Sequence, residues 1–193
     1  MSRYTSGISI LILFTAMPAF AHTGELAGGF ISGFLHPVFG PDHVAAMIAV
    51  GLWGAILGSP AIWLLPVVFP LVMAFGGVLG ILGMPLPDTE RAIAGSAIVL
   101  GATVLFALRA PLWLAVAIVG FFGIFHGYAH GVELPRGVNA VTYSFGFVMA
   151  TGLLHLGGIV FGLLAHWPVG KIAVRAAGCA IMLAGMAFFL GIA

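Results

Sequence analysis

The chain has 193 residues, of which 62% are hydrophobic and 6% charged, with a formal net charge of +1. A soluble domain carries about a quarter charged residues, so that class is excluded, and a near-neutral chain offers nothing to nucleic acid. Continuous apolar runs of about 20 residues, without strand-like alternation, predict an all-α membrane protein in the lipid bilayer rather than a β-barrel.

Residues 1–21 come first. Arg3 supplies a positive start, the stretch after Gly7 is mostly apolar, and Ala19-Phe20-Ala21 forms a small-residue cleavage site behind Pro18. This is a signal-peptide pattern. Cleavage after Ala21 leaves a single domain, residues 22–193, beginning His22-Thr23-Gly24-Glu25 on the far side of the membrane. A free amino group beside the His22 imidazole is a usable metal chelator, so His22 is a candidate on the access pathway; a polar start without a role is the alternative.

Six apolar segments follow, at about residues 26–58, 61–83, 92–108, 112–130, 140–165 and 171–193. Each exceeds or approaches the length a bilayer requires, and the breaks are short, which predicts one six-helix bundle. Glycines four apart (Gly29/Gly33, Gly54/Gly58, Gly76/Gly80 and Gly158/Gly162) should let helix backbones approach closely. Trp53, Trp63, Trp113 and Trp167 lie near predicted helix ends, as interfacial anchors do. Cys179, the one cysteine, reads as a small buried filler.

With the mature N-terminus outside, the inner breaks hold Arg109, Lys171 and Arg175 and the outer breaks Arg91 and Arg136, a weak positive-inside bias. Glu25, Asp88, Glu90 and Glu133 all fall at the outer face, with Asp42 in the first helix entered from it. Such an asymmetry concentrates cations at the outer mouth.

The first segment contains HPVFGPDH, residues 36–43. A carboxylate and two imidazoles at membrane depth are costly unless paired or hydrated. Pro37 and Pro41 each remove a backbone donor, so the helix should kink or break, as membrane helices do where they line a cavity. His36 and His43, seven apart, share a helical face, with Asp42 one residue round. In the fourth segment, FHGYAHGVE (residues 125–133) places His126, His130 and Glu133 at i, i+4 and i+7 on one face. At 1.5 Å per residue, a straight first helix puts His36 about 15 Å deep and the fourth puts His126 within about 10 Å of the same outer face. The two clusters are therefore expected to meet in the outer half as a cation site.

Other candidates are less distinctive. Glu90 and Asp88 precede the third helix, where acids cap an N-terminus; Glu90 is also a candidate on the pathway. His155 is either a further ligand or an internal hydrogen bonder, and His166 reads as a solvated loop residue. Phe69, between Pro66 and Pro70, is a hydrophobic gate at a kink or a core residue. The strong clusters fall in segments one and four, which suggests a three-plus-three inverted repeat, although the halves do not visibly align. Imidazole with carboxylate and no thiolate suits a divalent transition metal without separating Ni²⁺ from Co²⁺ or Cu²⁺.

HPVFGPDHVAAMIAVG, FHGYAHGVE and a signal peptide ending before HTGE resemble the HupE/UreJ family of bacterial nickel transporters. The resemblance covers the whole mature chain, and neither motif, His-x5-Asp-His or Phe-His-Gly-x-Ala-His-Gly-x-Glu, departs from the pattern. It implies a six-helix permease of the bacterial inner membrane, with a periplasmic mature N-terminus, supplying nickel to hydrogenase or urease assembly. His36, Asp42, His43, His130 and Glu133 match the motif positions, with His126 beside them and Glu90 as a further position. The cargo would be Ni²⁺ or Co²⁺, with no permanent cofactor; a homo-oligomer is compatible with the sequence. No glycine-rich phosphate loop suggests an ATPase. A membrane metallohydrolase using Glu133 or Asp42 as base, and a bis-histidine haem electron carrier, are the alternatives.

Overall fold

The computed structural model describes residues 29–192, so the expectations placed on residues 1–21 and on His22 lie outside the described residues. Each long apolar run is helical, because in hydrocarbon a helix satisfies its own backbone groups. The helices are α1 (Gly29–Phe39), α2 (Pro41–Leu57), α3 (Ala61–Ile81), α4 (Thr89–Leu105), α5 (Leu112–Val132), α6 (Ala140–Gly162) and α7 (Pro168–Phe189), with a 3₁₀ turn at Leu163–His166. No strand occurs among the described residues. The chain is an all-α membrane protein. α3, α5, α6 and α7 are each long and apolar enough to cross a bilayer, and α1 with α2 is a bent pair that adds a fifth candidate span. α4, the remaining expected segment, has 17 residues; its rise of about 25 Å falls just short of a hydrocarbon core of about 30 Å.

The expected break in the first segment has a local cause. Pro41 pushes the preceding residue out of the helical region, and Gly40 takes φ −93° and ψ 101°. Pro41 then opens α2, where its missing N–H costs nothing. The two axes differ by 82°. Counting depth along a straight helix therefore misplaces His36, whose ring bonds Glu133 just past the end of α5.

Small residues bring the helices into backbone contact. A Cβ at Gly76 would strike the Ile124 carbonyl, one at Gly127 the Met73 carbonyl and one at Gly131 the Gly77 carbonyl, so α3 and α5 touch along two turns. Gly33 on α1 meets the Tyr143 backbone on α6, and Gly158 on α6 meets the Ile48 carbonyl on α2. Gly58 departs from its expected role: with φ 77° and open space around it, it ends α2 instead of packing a helix. Trp53 is likewise no interfacial anchor. α2 lies against α3, α4 and α6, its Trp53 ring is fully buried, and the indole N–H donates to the Leu108 carbonyl at 2.9 Å. Trp63, Trp113 and Trp167 are exposed, as anchors should be. Cys179 is half-buried.

The main pairings are α3 with α5, α2 with α6 and α4 with α7. Exchanging α2, α3 and α4 for α5, α6 and α7 maps the first two pairings onto each other and the third onto itself. A two-fold relation between two three-helix halves has this pattern, with α1 as an addition to the first half.

The α3–α5 contact yields a paired test. Gly127→Ala is expected to lower stability by about 1–3 kcal/mol because the Met73 carbonyl must move. Gly95→Ala, where a Cβ meets nothing, should be neutral or stabilising by up to about 1 kcal/mol. Thermal unfolding of the two detergent-solubilised variants against wild type checks both signs.

Candidate metal site

The break at Gly40 brings the end of α1 and the start of α2 against one face of α5. His36 comes from α1, His43 from α2, and His126 and His130 from α5. Their rings form a continuous ladder, with centroids 4.7 Å apart for His36–His130, 4.6 Å for His130–His43 and 4.9 Å for His43–His126. The two sequence clusters therefore meet. At the exposed end of the ladder, His36 Nε2–H donates to Glu133 Oε2 at 3.0 Å. One ligand atom each from His36, His130 and Glu133 lies within 4.8 Å of the others, close enough to share a cation. The hydrogen bond from His36 holds the Glu133 carboxyl below its usual range, against the upward push of burial.

Tautomers can be argued from the partners. Asp42 Oδ1 accepts from the His43 backbone N–H at 2.9 Å and from His43 Nδ1 at 2.8 Å. An ionised carboxylate only accepts, so Nδ1 carries the proton and Nε2 keeps its lone pair. That Nε2 is buried with no protein partner. A carboxylate behind a metal-binding imidazole fixes ring and tautomer in this way. Asp42, expected as a direct ligand, thus has one oxygen committed to orienting His43.

His126 is arranged similarly by Ser96, which the sequence reading passed over. Ser96 Oγ donates to the Ile93 carbonyl at 2.6 Å and lies 2.9 Å from His126 Nε2. A hydroxyl has one proton, so it must accept from His126 Nε2–H, leaving Nδ1 as the lone pair. Nδ1 is also buried without a protein partner, as are both nitrogens of His130. The His130 ring is held by Phe147, with centroids 4.0 Å apart.

The surroundings are graded. A cavity of 430 Å³ is lined by Asp42, His43, Thr89, Glu90 and Glu133. Glu90 therefore shares the mouth of the site without joining the three-residue cation group. Asp88 holds the N-cap position of α4 at φ 55° but makes no side-chain capping bond; it pairs with Arg91 at 3.8 Å on the surface, so the capping expectation fails there. At the opposite end of the bundle a cavity of 230 Å³ is lined by Arg109, His166, Lys171 and Arg175, with no carboxylate. Phe69 and His155 lie at the inner end of the ladder, both buried; α3 runs unbroken through Pro66 and Pro70. Tyr143, with its ring 6.0 Å from His36 and its hydroxyl unpartnered, is a further neighbour missed from sequence.

The family model described as HupE / UreJ protein matches residues 10–188. The chain belongs to the HupE/UreJ family. It is 44% identical over 188 residues to Protein HupE of Rhizobium leguminosarum bv. viciae, covering 96% of this chain and 98% of that one. No solved structure matches. Membership bears out the resemblance carried by the two histidine motifs, and with it the general role of a multi-pass membrane transporter for nickel or cobalt ions.

The orienting residues can be tested by binding. Ser96→Ala and Asp42→Asn are each expected to weaken Co²⁺ or Ni²⁺ binding about 10- to 100-fold, the usual effect of removing such support. Asp88→Asn should leave affinity unchanged. Titration calorimetry on the purified protein reads all three.

Proposed function

We propose that this HupE/UreJ protein carries Ni²⁺, with Co²⁺ as its competitor, through the bacterial inner membrane toward hydrogenase or urease assembly. The observation that supports this most is the set of lone-pair nitrogens on His43, His126 and His130, buried and without protein partners. Leaving a buried polar group unpaired costs about 1–3 kcal/mol each, and a cluster of such groups is explained by a ligand they share. Neutral imidazoles with a carboxylate and no thiolate suit a borderline divalent cation. Nickel in particular rests on family membership, since these donors alone do not separate it from cobalt.

The proposed path begins at the cavity bearing Asp42, Glu90 and Glu133, which gathers cations. The metal exchanges its water for Glu133, His36 and His130, then for His43 and His126. Exit is through the basic cavity, where Arg109, Lys171 and Arg175 repel a cation and His166 is the one imidazole among the lining side chains. The positive-inside rule makes that end cytoplasmic and the acidic end, with the mature N-terminus, periplasmic. Several neighbouring positions of moderate strength suit transport better than one strong site, because the ion must also leave.

The two alternatives fare less well. Adjacent imidazoles in ring contact leave no room for a macrocycle between neighbours, which weighs against a bis-histidine haem. Asp42 and Glu133, the candidate hydrolytic bases, are hydrogen-bonded to the cluster's own histidines.

Uptake of ⁶³Ni by proteoliposomes tests the reading. Wild type should carry Ni²⁺, excess Co²⁺ should compete, and His130→Ala should lose about tenfold or more of the rate. Ligands must be deprotonated to take a metal, so uptake should fall at acid pH. Equal uptake by wild type and His130→Ala would sink the proposed site.

A further inference from the structure

Beyond the four-histidine cluster the ladder continues. The Phe69 ring lies 5.3 Å from His126 and 5.4 Å from His155, so five imidazoles and one phenyl form a single line of touching rings. Phe69 is the one ring in it with no atom that can bind a cation. Counted from the acidic ends of their helices at 1.5 Å per residue, His126 lies about 9 Å in, Phe69 about 18 Å and His155 about 22 Å.

His155 does not stand alone. Thr151 is four residues earlier on α6 and shares its face. Their side chains are buried, and neither His155 nitrogen nor Thr151 Oγ1 has a protein hydrogen-bond partner. A buried helical hydroxyl ordinarily returns its proton to a carbonyl of the preceding turn. Ser32, Ser96 and Thr103 all do so, and Thr151 does not. A third ligand group is available from α3. Pro70 has no N–H, so the helix cannot use the Pro66 carbonyl, which is within reach of the His155 ring but outside regular hydrogen-bond geometry with either nitrogen. The His155 imidazole and the freed Pro66 carbonyl therefore lie deeper than Phe69, and the Thr151 hydroxyl, about 16 Å in on the same count, lies one turn above them at the level of the phenyl ring. On α6, Gly162, two turns beyond His155, already lines the basic cavity.

We infer that His155 and the Pro66 carbonyl, with the Thr151 hydroxyl one turn nearer the mouth, form a second, inner cation station, whose imidazole the Phe69 ring separates from the outer histidine cluster. The inference rests on the transport reading and deepens it. The outer cluster has a carboxylate and the inner station has none, so the inner station holds a divalent ion more weakly and passes it on. In the conformation described, Phe69 fills the step between the two; the ion passes only when that side chain swings aside. The polar groups left unpaired around His155 are then explained by the ion they receive.

Full-length wild type, His155→Gln, His155→Cys and Thr151→Val are compared by two measurements: Ni²⁺ binding in detergent and metal flux in proteoliposomes. His155→Gln should bind Ni²⁺ within about twofold of wild type at the outer cluster, while its Ni²⁺ flux falls about tenfold. Thr151→Val should lose flux in the same sense by a smaller factor. A thiolate prefers softer ions, so His155→Cys should raise the Cd²⁺-to-Ni²⁺ flux ratio at least about fivefold, a shift that a merely space-filling His155 would not give. Wild-type flux in both His155 variants, or an unchanged Cd²⁺-to-Ni²⁺ ratio, overturns the inner station while the transport reading stands. Loss of outer-cluster binding in step with flux also overturns it, because His155 then only supports the fold. A wild type that neither binds nor carries Ni²⁺ overturns the transport reading, and the station with it.

Discussion

The break at Gly40 is the feature on which the site depends. In an unbroken helix His36 and His43 would share a face but sit about 10 Å apart along the axis, two turns of rise. No single ring could then touch both. Because Pro41 forces Gly40 out of the helical region and the axes turn by 82°, both imidazoles reach His130, at 4.7 Å and 4.6 Å. The break is tolerable in a membrane because Asp42 and His43, directly after it, line a polar cavity. One proline and one glycine thus convert a periodic pattern into a convergent one.

The rest of the bundle keeps that convergence rigid. α5 carries two of the site histidines, with Glu133 just past its end, and is held against α3 by glycines whose neighbours are backbone carbonyls. Tight packing of this kind is the main attraction between helices in lipid, where apolar burial gives little. It offsets the unfavourable feature of the core, the imidazole and hydroxyl groups without protein partners. Natural sequences break the rule that buried polar groups are paired chiefly where a function requires it. Here the violations gather along one line through the protein, whereas the buried or half-buried hydroxyls of Ser32, Thr89, Ser96 and Thr103 are bonded.

Much of this could be read from the sequence, and the failures share a cause. Composition gave helices in a membrane, Pro37-x3-Pro41 gave the break, and i, i+4, i+7 spacing gave the face of α5. These are properties of one segment at a time. Depth was misjudged for His36 because the size of the bend depends on what the two halves pack against. Trp53 was misplaced because α2, although near its end there, is surrounded by other helices. The role of Asp42 and the presence of Ser96 were invisible because a tautomer is set by a partner, and His126 finds its partner thirty residues away on α4. A lone Ser in an apolar helix carries no signal of which histidine it will meet. Thr151 is the same problem in reverse: only its failure to bond its own helix marks it.

Ring contact along the ladder also bears on how an ion could cross at all. A bare divalent cation in a low-dielectric interior is unfavourable by tens of kcal/mol, so water must be replaced ligand by ligand, never all at once. Spacings of 4.6–4.9 Å between neighbouring imidazoles allow one ligand to attach before another lets go. The donors weaken in the same direction, from a carboxylate at the mouth to neutral imidazoles in the middle. Capture is therefore strongest where dehydration begins. The carboxylate-free basic end then lowers the affinity once more, and rehydration becomes the favoured step. In the proposed pathway, weaker ligation toward the basic end eases release of the ion there, while a static gradient of affinity drives no net movement. Net movement then follows the ion's own gradient or one coupled to it.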